Sequence, residues 1–324
     1  MEYTTLGDTG LEVSEICLGC MSFSHDGEDW GVDAETAEDI VDRAVELGVT
    51  FFDTANVYHR GESEEVLGDA LAKYDRDRLV VATKVRGGMA DDNPNAEGLG
   101  RKAIEQELAN SLDRLGMDTV DLYQIHRWDY DVPIEETLRA LDDAVRRNQV
   151  RYLGASSMWA HQFADALHTS ERLGLERFVS MQNHYNLAYR EEEREMLPLC
   201  EKEGVGVIPW SPLARGYLTR PHEESEATAR GEADDHARGH PYFEGGGRKV
   251  NERVEELAAE YDATMAQIAL AWVLDKEWVD APIVGTTSIE HLEDAVEALD
   301  ISLSDSDTAY LEEPYEPVRV SGHE

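Results

Sequence analysis

Lysine is scarce in this chain: six residues, at positions 73, 84, 102, 202, 249 and 276 of 324. Basic residues total 29 against 69 acidic ones, giving a formal net charge of −40, and the acids are spread along the chain rather than gathered in a tail. A polyanion is repelled by such a surface, which argues against a nucleic acid partner. Disorder does not explain the acidity, because 41% of the residues are hydrophobic. A solvated acidic surface stops repelling itself only in concentrated electrolyte, where the Debye length falls to about 3 Å near 1 M salt. The expected source is therefore a halophile. A basic partner docked on an acidic face would instead require acid clustered on one segment.

Cysteine is also rare. Cys17, Cys20 and Cys200 are too few and too odd in number for a disulfide framework, and the amino terminus shows no apolar export segment, so a reducing cytoplasm is expected. Cys17 and Cys20 make a C-x-x-C inside the apolar run 16–21, but no second ligand pair accompanies it. Buried hydrophobes are expected there rather than a metal or redox centre. No run approaches the roughly 20 apolar residues of a membrane span. Nor does a G-x-G-x-x-G follow the first strand, which removes the main argument for an open dinucleotide-binding sheet.

What is present is an alternation. Gly7-Asp8-Thr9-Gly10 reads as the turn of a small hairpin. Strands are then expected at 16–19, 50–52, 79–83, 120–125, 150–155, 178–181, 205–208 and 281–284, with helical spacing of apolar residues between them. Asp33 is placed to cap the first helix, and Pro133 suits the first turn of another. An acidic helix is expected over 191–203. Pro209 makes the end of the 205–208 strand the weakest of the eight. Residues 221–247 break the pattern as a long loop or lid, and helices resume around 250–261, 264–275, 288–298 and 304–313. Strands apolar on both faces must be covered on both. Eight such units in one domain (1–324) predict a closed (β/α)8 TIM barrel with an N-terminal β-hairpin.

The polar residues at the carboxyl ends of these strands then share one face. They are Asp53, Lys84, His126, Ser156 with Ser157, Gln182, Trp210 with Ser211, and Gly285 with Thr286. An ammonium at the tip of the 79–83 strand needs a counter-charge, and Asp53 is the obvious partner. Alone, Asp53 reads as a turn cap and His126 as a satisfied core histidine.

The motifs TFFDTANVY (50–58), ATK (82–84), YQIH (123–126), GASS (154–157), QN (182–183), WSPLARG (210–216) and IVGTT (283–287) together resemble the aldo-keto reductase superfamily, nearly from end to end. The resemblance implies reduction of aldehydes or ketones by hydride transfer from a nicotinamide cofactor, with Asp53, Tyr58, Lys84 and His126 as a catalytic tetrad and Tyr58 as proton donor. The physics is consistent: a phenol ionises near pH 10, and a cation about 4 Å away at an effective dielectric of about 20 offers roughly 4 kcal/mol. Asp53 would hold and screen Lys84, and His126 would orient the substrate oxygen or relay a proton.

The resemblance also implies a cofactor cradle. Ser156, Ser157 and Gln182 would meet the nicotinamide carboxamide and Trp210 its ring. Gly19, Cys20 and Met21 would line the same mouth, and Ser211, Leu213 and Arg215 would hold the pyrophosphate. Gly285, Thr286, Thr287 and Ser288, with His291 and Asp294 beyond, would receive the adenosine phosphate. NADP(H) is the family habit. His291 stands where many members carry arginine, and Glu290, Glu293 and Asp294 add negative charge, which keeps NAD(H) open. His59-Arg60 after Tyr58 is a further departure, since glycine is common there. Trp30, Met89, Trp128 and Phe243 are candidates for an apolar substrate pocket.

Two rivals stand beside a reductase of small-molecule carbonyls. One is a cofactor-binding regulatory subunit resembling the cytoplasmic β subunits of potassium channels, against which the missing amino-terminal tether counts. The other is a barrel isomerase or aldolase using Lys84 as a Schiff-base amine, which requires a lysine without a paired aspartate. No feature of the sequence specifies an oligomeric state.

Overall fold

The computed structural model describes residues 1–27, 31–90, 92–93, 95–224 and 241–323. An antiparallel hairpin, β1 (Tyr3–Thr5) and β2 (Glu12–Ser14), precedes eight parallel strands. These are β3 (Cys17–Gly19), β4 (Phe51–Asp53), β5 (Val80–Val85), β6 (Val120–Ile125), β7 (Val150–Ser156), β8 (Phe178–Gln182), β9 (Gly206–Val207) and β10 (Ile283–Gly285). Their order in the sheet is β10-β3-β4-β5-β6-β7-β8-β9, so each strand lies beside its successor in the chain and the last returns to the first. Closure comes through Trp210, which bridges both His184 and Ile283, and through Ile283 N donating to Pro209 O at 2.9 Å. This is the expected (β/α)8 barrel.

The helices are α1 (Ala34–Glu46), α2 (Glu62–Leu71), α3 (Arg101–Leu115), α4 (Ile134–Arg146), α5 (Ala160–Leu173), α6 (Met196–Glu203), α7 (Gly247–Tyr261), α8 (Met265–Leu274), α9 (Ile289–Glu297) and α10 (Asp305–Glu312). Asp33 does cap α1, accepting from Thr36 N, an interaction worth about 1 kcal/mol. The helix then buries Ala37, Ile40, Val41 and Ala44 against the sheet. Three apolar bodies result. The largest lies between helices and strands, a second fills the barrel floor with Cys17, Phe51, Val80, Ala82 and Leu122, plugged from below by Leu6 and Val13 of the hairpin segment, and a small third sets Ile16 and Val284 against Leu270, Ala295 and Ala298.

Four expectations are adjusted. Pro209 cannot donate to a ladder, and β9 shrinks to two residues. The acidic helix over 191–203 divides at Glu195: Glu191–Arg194 is a 3-10 turn in which Glu191 pairs with Arg194, and α6 begins at Met196, leaving Pro198 in its first turn where no N–H is needed. Of the proposed loop 221–247, residues 225–240 lie outside the described residues, and α7 starts at Gly247, after a 3-10 turn at Pro241–Phe243. Trp30 also lies outside the described residues.

The chain end supplies a contact that apolar periodicity does not reveal. After α10 it runs back across the mouth: Val318 N donates to Glu191 Oε1 at 3.0 Å, Ser321 N to the Tyr189 hydroxyl at 3.1 Å, and His323 Nε2 lies 3.0 Å from Glu192 Oε1. Gly322, at φ +92°, comes so close to Trp210 that a Cβ would stand 3.0 Å from the indole.

Candidate active site at the barrel mouth

Strand pleating decides which groups enter the lumen. Lys84 lies opposite Gln124, and Ser156 opposite Gln182, in the parallel registers of β5 with β6 and β7 with β8. Lys84 is fully buried, and its ammonium donates to Asp53 Oδ2 at 2.5 Å, Thr54 O at 2.9 Å and the Tyr58 hydroxyl at 3.2 Å. All three donor sites of the ammonium are thus directed, one of them at the phenol. Burial alone would lower the pKa of Lys84, but the Asp53 carboxylate and Tyr58 oppose it, and the net direction is upward. The lysine is held as a cation.

The other Asp53 oxygen accepts from Gln124 Nε2 at 2.9 Å and Gln182 Nε2 at 3.0 Å, and Gln182 Nε2 also reaches Gln124 Oε1 at 3.1 Å. Gln124 escaped the sequence reading. The signal was there: it lies two residues before His126 in a fully buried strand, so it shares the inward face, and a buried amide there must find a partner. Gln182 is brought to the site, with its amide nitrogen committed to Asp53 and Gln124.

The loop carrying Tyr58 is fixed from behind. Thr54 Oγ1 lies 2.7 Å from Ser63 Oγ, which donates to Cys20 O, and Asn56 Nδ2 donates to Glu107 Oε2 at 3.2 Å. Arg114 joins the buried Glu64 at 2.6 Å. His59 and Arg60 both adopt left-handed φ, 45° and 54°, before Gly61 at 100°, and this tight turn delivers Tyr58 inward. His126 meets Tyr58 edge to face, with ring centroids 5.7 Å apart. Burial, then the charges of Arg127, Lys84 and Arg86, hold its pKa well below the ordinary imidazole value, so the ring is neutral at physiological pH.

Around this group stand the remaining predicted residues. Gly19 pairs with Asp53 and Gly285 in the ladders on either side of β3. Cys20 is buried and Met21 half-buried beside it. Burial pushes both the Cys17 and Cys20 thiols well up, so they stay protonated. Ser156 Oγ accepts from Arg127 Nη1 at 3.2 Å, and Ser157 Oγ accepts from Trp210 Nε1 at 2.8 Å. One face of Trp210 is covered by His184 at 4.1 Å, which in turn stacks on Tyr189 at 4.0 Å. Ser211, Ala214 and Arg215 follow with positive φ, Leu213 between them, and the Arg215 guanidinium lies 6.0 Å from the Trp210 ring.

Farther round, Thr286 Oγ1 accepts from Ser288 N, and Ser288 caps α9 by accepting from His291 N. Thr287 and His291 are exposed, and Asp294 Oδ1 accepts from Gln267 at 3.5 Å. Glu290 is held below the usual carboxylate range by its own N–H and the Ser288 hydroxyl, so this helix start already carries an anion. Of the proposed pocket residues, Trp128 packs on the main core, whereas Phe243 is largely exposed and leans on Tyr217. Among the described residues, no helix is long and apolar enough to cross a membrane.

The comparisons with known proteins agree with one another. The model of the aldo/keto reductase family matches residues 15–316. A Schizosaccharomyces pombe protein provisionally named an aryl-alcohol dehydrogenase is 44% identical, over 99% of this chain and 97% of its own length. The aldo-keto reductase dtxS3 of Metarhizium robertsii is 41% identical over 100% and 93%, and the versiconal hemiacetal acetate reductase of Aspergillus parasiticus 40% identical over 99% and 98%. On this evidence the chain belongs to the aldo/keto reductase family.

Proposed function

We propose that the protein is an NAD(P)(H)-dependent oxidoreductase that reduces aldehydes or ketones to alcohols, with Tyr58 as the proton donor. The observation that carries this reading is the Lys84 ammonium, buried and shared between Asp53 and the Tyr58 hydroxyl, opposite a neutral His126. Bound at the mouth, the nicotinamide would supply the hydride that reaches the carbonyl carbon. Tyr58 would pass its proton to the carbonyl oxygen as that oxygen gains charge, and Lys84 would stabilise the phenolate left behind. Asp53, fixed by two glutamine amides, would keep Lys84 in place, and His126 would position the oxygen.

The donor set suits that cofactor. Hydroxyls of Ser156 and Ser157 border an indole with one face already stacked, and both amide atoms of the buried Asn183, next to Gln182, have no hydrogen-bond partner among the described residues, a state an amide-bearing ligand would relieve. NADP(H) is the family habit, and Glu290 with the absence of an arginine at His291 weakens the hold on its extra phosphate, which keeps NAD(H) beside it. The ion pair of Lys84 with Asp53 disfavours Schiff-base chemistry, because that amine is held protonated. Names among the relatives point to aromatic alcohols and a hemiacetal acetate, and carbonyl reduction covers both.

The test is turnover of an aldehyde and ketone panel with NADPH and NADH, in molar salt and in dilute buffer. Tyr58→Phe is expected to abolish turnover and retain cofactor binding. Unchanged turnover would remove Tyr58 from the mechanism, and full activity in dilute buffer would remove the halophilic reading. Multiple turnovers separate the enzyme from a regulatory subunit.

A further inference from the structure

We propose that Arg86 and Arg127 form a subsite at the rim of this mouth for an anionic group of the substrate, so that the favoured carbonyl compounds carry a carboxylate or phosphate. The inference rests on the reading of the mouth as a reduction site.

The two arginines leave neighbouring strands. Val85 pairs with Ile125 at the ends of β5 and β6, and His126 N donates to Val85 O at 2.9 Å, which sets Arg86 beside His126 and Arg127. Arg86 is also two residues beyond Lys84. Its backbone has φ +142°, a region that strains any side chain with a Cβ. Its guanidinium forms no hydrogen bond or ion pair among the described residues, and its Nε is buried without a partner. Arg127 Nη1 donates to His126 O at 2.6 Å and to Ser156 Oγ, and its guanidinium lies 5.7 Å from the Trp210 ring, but it too meets no carboxylate.

Other arginines of this acidic chain do find carboxylates. Elsewhere Arg76 takes Asp121 at 2.6 Å, Arg114 takes Glu64 at 2.6 Å, Arg190 takes Glu193 at 2.8 Å and Arg253 takes Glu313 at 2.6 Å. Acids outnumber bases 69 to 29, yet among the described residues the two cations flanking His126 meet no carboxylate. Burial lowers the pKa of Arg127 to about 10; Tyr58 opposes this, and Arg86 and Arg215 add to it. Half-buried cations without counter-charge are costly, and an anion received by their planar forks offsets that cost. The polar rim would then select the substrate while Tyr58 and Lys84 act on its carbonyl.

The experiment uses the full chain saturated with oxidised cofactor at one fixed salt concentration. Calorimetry measures benzoate against its neutral isostere benzamide, and phenyl phosphate against phenol to separate carboxylate from phosphate. Benzoate or phenyl phosphate is expected to bind at least about tenfold more tightly than its neutral counterpart, with the ratio falling toward one in Arg86→Gln and Arg127→Gln and partly recovering in Arg86→Lys. In turnover, the same contrast appears in KM for 4-carboxybenzaldehyde against methyl 4-formylbenzoate. Equal binding of charged and neutral probes by the unmodified protein overturns the proposal, as does a ratio that survives in both glutamine variants. A loss confined to cofactor affinity assigns the arginines to the cofactor and overturns it as well. A charged-probe preference without reduction of either aldehyde leaves the anion subsite standing and defeats the reductase reading instead.

Discussion

The two ends of the barrel are built from the same strands and follow opposite rules. At the floor, Cys17, Phe51, Val80 and Leu122 face the hairpin residues Leu6 and Val13 in an apolar plug. A few residues further toward the carboxyl ends of the strands, Asp53, Lys84, Gln124 and Gln182 fill the lumen with charge and amide groups, the other three all bonded to Asp53. The floor gains its stability from area removed from water. The mouth must offset the desolvation of a buried ion pair with directed hydrogen bonds, and in return holds a cation against a phenol. Stability and chemistry are therefore separable along the barrel axis.

The largest expected effect breaks the mouth. Lys84→Met leaves the Asp53 carboxylate buried without its counter-charge, and is expected to cost about 3–5 kcal/mol of stability as well as more than about a hundredfold in turnover. Chemical denaturation and steady-state rates measure the two losses, and a variant that lost neither would show the ion pair to be dispensable. The floor should respond differently. Leu6→Ala, at a fully buried side chain, is expected to cost about 2–4 kcal/mol by denaturation while turnover per folded molecule stays within about twofold.

The smallest effect is a difference in pH response. His126 has a depressed folded pKa, so the unfolded chain takes up a proton that the native imidazole refuses. Its contribution to stability is present above about pH 6.5, the unfolded value, and is lost as pH falls below it. Asp280, which accepts from Gly7 N at 2.8 Å near the floor, is raised by burial from 3.8 to about 6. There the native state holds the proton more tightly, so stability declines as pH rises from about 4 to 6. Melting temperatures across pH 4–7 should accordingly change slope in Asp280→Asn, which removes only the floor's contribution. An identical pH profile in the variant would mean that Asp280 ionises alike in both states.

Much of this was legible in the sequence because it is periodic or local. Apolar runs separated by helical spacing mark eight strands in order, and the need of a strand-tip lysine for a counter-charge points to Asp53. Boundaries slipped where a single residue overrode the pattern, as Pro209 did in β9 and Pro198 in α6. Gln124 was missed because one amide among apolar neighbours carries no local signal of what it bonds.

The sequence by itself determined the barrel, its acidic exterior and the polar residues that reach the mouth, since alternation and strand-end position follow from the chain's own spacing. Tertiary structure alone decided how those residues are shared. Asp53 meets Gln124 and Gln182 across separations of 71 and 129 residues, and the chain end returns to set Gly322 against Trp210. It also decided that Arg86 and Arg127 stand without carboxylates among the described residues of a chain so rich in them. The physical reason is that hydrogen bonds and ion pairs depend on the stagger of neighbouring strands and on the course of the returning chain, to within a few tenths of an ångström. Hydrophobic spacing fixes which face a residue takes and says nothing about what waits there.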